Sequence, residues 1–147
     1  MSRAPLRLAT LNAGQLRQTS AVTLSHYNDE AQSFQQGTRD HDVSQNVVAL
    51  LRHLPESGRH TILDLGCGPG RDLVTFRDLG HVAVGLDGAE HFLQMAREHS
   101  DCELLHQDFL SLDLPDQSFD GIFANASLFH VPSQELPRVR GGPWRCL

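Results

Sequence analysis

The chain has 147 residues, 39% of them hydrophobic and 20% charged, with a net charge of −6. That length suits one domain with its own core and is too short for two of ordinary size. The acid excess argues against a protein built to coat a nucleic-acid backbone, and no apolar run approaches the roughly 20 residues that span a bilayer.

Residues 1–28 hold Arg3, Arg7 and Arg17 and no acid. This composition suits a mitochondrial transit segment or a plain disordered extension. Residues 1–20 lack convincing periodicity and are expected to form a disordered or targeting-like leader. The three cysteines, Cys67, Cys102 and Cys146, form no C-x-x-C. They fit a reducing, cytoplasmic setting, with a mitochondrial one as the alternative, and offer no metal-site spacing.

Ala21 to Phe34 reads as a short helix carrying His26 and Tyr27. The polar loop Gly37–Asp42 follows, with Arg39, His41 and Asp42. His41 and Asp42 lack a third metal ligand at useful spacing. Asp42 is a plausible N-cap for a helix in which Val43, Val47, Leu50, Leu51 and Leu54 make one apolar face.

Thr61 to Asp72 is the stretch on which the rest turns. Ile62, Leu63 and Leu65 form the apolar run of a strand covered on both faces. Gly66, Gly68 and Gly70 follow at alternate positions, where absent Cβ atoms let a ligand lie against the main chain. Helical spacing resumes with Leu73, Val74, Phe76 and Leu79, and Gly80 ends that helix. Strand, glycine turn and helix is the nucleotide-site geometry of open α/β sheets. The dinucleotide fingerprint G-x-G-x-x-G fails here, because Arg71 stands in the third place.

His81 to Leu86 is the second strand and ends in Asp87-Gly88, with Asp87 21 residues after Gly66. An acid there accepts from vicinal ribose hydroxyls or caps the next helix. That helix, Ala89 to His99, turns Phe92, Leu93, Met95 and Ala96 inward. Cys102 to His106 is a short third strand running into Asp108-Phe109. Ser118 to Ala124 is the fourth, opening into Asn125 to Pro132 with His130 beyond it. A helix starting near Gln134, capped by Ser133, is expected to stay incomplete, because the tail Arg140–Leu147 breaks the amphipathic pattern.

The pattern Asp64-x-Gly66-x-Gly68-x-Gly70 closely resembles motif I of the class I S-adenosylmethionine-dependent methyltransferases of the small-molecule type. The resemblance covers about residues 20–139. It implies a Rossmann-like, doubly wound α/β sheet, of which this chain carries the N-terminal half: strands one to four in the order 3-2-1-4. The family's full sheet has seven strands, so the chain looks C-terminally truncated. Residues 21–139 would then be a partial methyltransferase domain and 140–147 an atypical tail, from a shifted reading frame or an alternative exon.

The resemblance further implies S-adenosylmethionine as cofactor, held by Asp64, Gly66, Cys67, Gly68 and Gly70 at the turn. Asp87 and Gly88 would serve the ribose. Asp108 would accept from the adenine amino group, with Phe109 packed on the ring. Asn125 would lie at the methionyl end, Tyr27 over the cofactor, and Arg39 against its carboxylate or merely at the surface. Cys67 reads as a small neutral filler. His130, on the acceptor side, is the candidate base, with packing within its loop as the alternative. The expected partner is a small-molecule acceptor, with no nucleic acid and no membrane. Self-association through an exposed strand-four edge is also expected. Two other functions stay open: a non-catalytic remnant that binds the cofactor or a partner, and an NAD-dependent oxidoreductase, disfavoured by Arg71 and Asp108.

Overall fold

The computed structural model describes residues 9–147. Its elements run α1 (Ala13–Asp29), α2 (Ala31–Thr38), α3 (Ser44–Leu51), β1 (Thr61–Leu65), α4 (Arg71–Asp78), β2 (Val82–Asp87), α5 (Glu90–Ser100), β3 (Glu103–His106), β4 (Gly121–Phe123) and α6 (Leu136–Trp144). Short 3-10 turns at Phe109–Ser111 and Leu128–His130 follow β3 and β4. The four strands are parallel and ordered β3-β2-β1-β4, as expected.

β1 is central, and its alternating side chains feed two cores. Ile62 joins Val47, Leu73, Phe76, Leu93, Ala96 and Phe123 on one face. Leu63 and Leu65 join Val84, Leu86, Phe119 and Cys146 on the other. A third cluster, Ala31, Ala89 and Phe92 with Tyr27, Phe34 and Met95 against it, docks the N-terminal helices on α5.

Three expectations need correction. Helix α1 starts at Ala13, so residues 13–20 are helical; residues 1–8 of the expected leader lie outside the described residues. A capping box explains the start: the Asn12 side chain accepts from Gln15 N–H, and the Gln15 side chain accepts from Asn12 N–H, both at 2.9 Å. No apolar stripe announced this helix because none of its residues is buried.

The tail is also not a helix breaker. α6 continues through Gly141, Gly142 and Pro143. Packing overrides propensity there: Val139 and Cys146 are buried. The carbonyls of Arg145 and Cys146 accept from Gln117 and Phe119 N–H at 3.0 and 2.9 Å. The chain's own end therefore takes the backbone just before β4, which shortens the expected fourth strand to Gly121–Phe123 and covers part of its approach. The third change is small. Val43, not Asp42, holds the N-cap position of α3, although Asp42 Oδ1 still accepts from Ser44 N–H at 2.9 Å, and Glu135, not Ser133, holds that of α6.

β1 carries one anomaly, Asp64. It shares a face with Ile62 and is 2% exposed, and its Oδ2 has no hydrogen-bond partner among the described residues. Burial, then the charges of Asp72 and Asp87, push its carboxyl well above the usual range. The folded state thus holds a proton that the unfolded chain releases near its ordinary value, so stability contributed by protonated Asp64 drains away as pH rises from about 4. Asp64→Asn should remove this drain. Its melting temperature relative to the parent should climb between pH 4 and pH 7 in circular-dichroism melts, and a flat difference would contradict the account. Phe76 is fully buried and packs edge-on against Phe123, ring centroids 5.2 Å apart. Phe76→Ala should cost about 3–5 kcal/mol in denaturant titration.

Candidate functional site

The carboxyl ends of β1, β2 and β3 open on one cavity of about 600 Å³, within the usual range for small-ligand sites. Its floor is the glycine turn. Gly66 and Cys67 N–H both donate to Leu86 O, at 2.8 and 3.0 Å, so the turn is tied to β2. Gly66 has φ 84°, and a Cβ there would lie 2.4 Å from Ser127 Cβ. Ser127, from the loop after β4, donates its hydroxyl to Leu65 O at 2.7 Å. Glycine is thus required for that loop to cross the end of β1. Gly70, with φ 94°, lets α4 approach Ala96 of α5.

Asp87 lines the cavity from the end of β2. Its Oδ2 accepts from Gly68 N–H and its Oδ1 from Ala89 N–H, both at 2.9 Å. Burial raises its carboxyl, and these main-chain donors partly offset that. Register sets Asp87 beside His106, whose Nε2 lies 3.0 Å from Gly88 O and whose Nδ1 lies 3.1 Å from Glu90 Oε2. The Asp87-Gly88 corner is therefore held from both neighbouring strands. Asp108 follows β3: its Oδ1 accepts from Leu110 N–H at 2.9 Å, and Ser20 of α1 donates to Oδ2. Phe109 stands against Gly66.

The opposite wall comes from the N-terminal helices and the loop after β4. Tyr27 OH meets His130 Nε2 across the opening. Burial, then Asp87, raise the Tyr27 hydroxyl, while burial, then His26, lower His130. Both are therefore neutral at pH 7. Asn46 of α3 donates its amide to Asn125 Oδ1 at 2.9 Å. Arg39 reaches the cavity rim with a mostly exposed side chain, 3.6 Å from Asp40.

Of the residues singled out in the sequence, Gly66, Cys67, Gly68, Gly70, Asp87, Gly88, Asp108, Phe109, Asn125, Tyr27, Arg39 and His130 all line this one cavity. Asp64 does not: strand alternation turns it into the core behind the turn. Cys67 is buried and its thiol is pushed far up by burial, which makes it packing and not a nucleophile. Five contributors were not assigned to the site from the sequence. Ser20 belongs to the part of α1 whose start only the Asn12–Gln15 pair could have signalled, and Leu24 lies in the expected helix but was not assigned to the site. Phe34 and Phe92 form an aromatic wall with Tyr27, at centroid distances of 5.1–5.6 Å. Arg71, noted only for not being glycine, lines the cavity as well. Among the described residues, no cluster of three His, Cys, Asp or Glu could hold a metal, and no helix is long and apolar enough to cross a membrane.

Comparison with known proteins agrees with this geometry. The 24-methylenesterol C-methyltransferase 2 of Oryza sativa subsp. japonica is 32% identical over 123 residues, which cover 78% of this chain and 32% of that protein. The trans-aconitate 2-methyltransferase of Escherichia coli is 34% identical over 92 residues, 60% of this chain and 36% of the relative. The chain thus spans about a third of the length of these relatives. The crystal structure of an S-adenosylmethionine-dependent methyltransferase from Mesorhizobium loti superposes with a TM-score of 0.58 at 31% identity, over 68% of this chain and 47% of that one. The family model described as a methyltransferase domain matches residues 62–147, from the second residue of β1 to the last residue. With the glycine turn and the 3-2-1-4 sheet both inside or bordering that match, the chain belongs to the methyltransferase-domain family.

Proposed function

We propose that this chain binds S-adenosylmethionine in the cavity above the glycine turn and supports methyl transfer to a small-molecule acceptor. One observation carries the reading: residues from three successive strand ends, Gly66–Gly70, Asp87 and Asp108, line a single cavity. The donor set suits an adenosyl group. Asp87 offers carboxylate oxygens to vicinal hydroxyls, and Asp108 to an exocyclic amine. Phe109 supplies an apolar plate, and the main chain at Gly68 is open, with the nearest atom to a built Cβ 3.9 Å away. Arg39 matches a carboxylate at the other end.

When bound, the cofactor supplies a methyl group on a sulfonium that is already a good leaving group. The protein's part is alignment and exclusion of water, which in favourable systems is worth about 7–11 kcal/mol. Tyr27, Phe34 and Phe92 shut out water on the acceptor side. His130, neutral at pH 7, keeps Nε2 paired with the Tyr27 hydroxyl, which holds the imidazole in place, and takes the acceptor's proton on the other ring nitrogen, Nδ1. The acceptor is a small molecule on this reading. The rice and Escherichia coli relatives, named for a sterol and for trans-aconitate, support that class without choosing within it.

Calorimetric titration with S-adenosylmethionine, S-adenosylhomocysteine and NAD tests the cofactor. Binding of the first two and not the third is expected, and NAD binding alone would overturn the reading. Asp87→Ala should weaken S-adenosylhomocysteine by about 10–100-fold, the worth of hydrogen bonds to a charged group. For the base, neutral imidazole is the active form, and its pKa lies below the ordinary 6.5. The acid limb of kcat/KM should therefore fall below pH 6.5, because protonation silences the base only there, and His130→Gln should abolish that limb.

A further inference from the structure

Arg71 opens α4 at a position where a cation opposes the helix macrodipole. Its guanidinium is engaged elsewhere. Nε and Nη2 donate to Asp72 Oδ1 and Oδ2 at 2.9 and 3.2 Å. Nη1 donates to the carbonyls of Thr38 and His41 at 2.8 and 3.2 Å. Thr38 is the last residue of α2 and its carbonyl accepts from His41 N–H at 3.1 Å beyond the helix, and a cation there is favoured both as a second donor and as charge. Asp72 is 8% exposed and fixes the fork from below. One planar side chain thus ties the helix after the glycine turn to a loop 30 residues earlier. Lysine could not make the two-point carboxylate contact and reach both carbonyls.

Between the two gripped carbonyls stands Arg39. The loop lies on the β4 side of the cavity, since the next helix, α3, bonds Asn125 through Asn46. Asp87 and Asp108 lie on the β2 and β3 side. The clamp therefore acts at the end of the cavity away from the two acids.

We propose that Arg71 is a positioning residue: by holding the Thr38–His41 loop it sets Arg39 against the amino-acid end of the bound cofactor. This rests on the cofactor assignment above. The test compares S-adenosylhomocysteine with 5′-methylthioadenosine, which lacks the amino-acid portion, and adds hydrogen exchange on the free protein. Arg71→Met should weaken S-adenosylhomocysteine on the order of tenfold, which is about 1.4 kcal/mol, with 5′-methylthioadenosine essentially unchanged. Arg71→Lys, which keeps the charge and loses the fork, should behave the same way. In both variants the amides of residues 38–42 should exchange faster while those of β1 and β2 do not. Equal weakening of both ligands, no weakening, full rescue by lysine, or unchanged loop exchange would each overturn the proposal. A parent chain that binds neither ligand would sink the cofactor reading, and the clamp would then be decided by exchange alone. Should Arg71→Met not fold, Arg39→Met must show the same ligand-selective loss without faster loop exchange; S-adenosylhomocysteine binding equal to the parent's would overturn the proposal.

Discussion

The close crossing of two backbones at Gly66 is the constraint from which the rest follows. β1 ends there, the chain turns with positive φ, and Ser127 from beyond β4 hydrogen-bonds the last carbonyl of the strand. A Cβ at Gly66 would occupy the place of Ser127. With hydrogen in that place, the loop carrying Asn125 and His130 lies against the glycine turn, and the two together floor one cavity. The same turn is tied to β2 through Leu86 O. Three strands therefore fix a stretch of main chain that makes few side-chain contacts of its own.

Around that floor the protein keeps an uneven electrostatic balance. Asp64, Asp72 and Asp87 surround the turn, and Arg71 is the cation bonded among them. Burial raises both carboxyls, but at Asp87 three main-chain donors partly offset it, whereas Asp64 Oδ2 has no partner among the described residues. The two acids, one on β1 and one at the end of β2, thus differ in how far burial is offset, because one is turned into the core and the other toward N–H groups and the cavity. On the opposite wall of the cavity the titratable groups are instead kept neutral, Tyr27 by a raised pKa and His130 by a lowered one. A neutral imidazole against a phenol hydroxyl can take up a proton without first losing one.

Most of the sheet was legible in advance. The apolar runs at Ile62–Leu65, Val82–Leu86 and Leu104–Leu105 are buried or half-buried strands, as periodicity implied. The helical ends were less so. Asn12 and Gln15 carry the start of α1 in two polar side chains, a weak signal without an apolar stripe behind it. α6 runs against the propensities of Gly141, Gly142 and Pro143 because Val139 is buried and Cys146 packs into the core on the sheet, information that lies more than 20 residues before Cys146, in Gln117 and Phe119.

The amino-acid sequence by itself determined the order of strand, glycine turn and helix, and the acids that close β2 and β3. These are local patterns: apolar runs set burial, and glycine spacing sets which turns the chain can make. Only the tertiary structure decided which of those acids meet a ligand-sized space. Alternation along β1 buried Asp64, while the parallel register brought Asp87 to the cavity. It also decided that Tyr27 and His130, 103 positions apart, close on one another, and that Arg71 caps a helix from another part of the chain. Such contacts depend on where whole elements pack, and packing is settled by the summed burial of many residues.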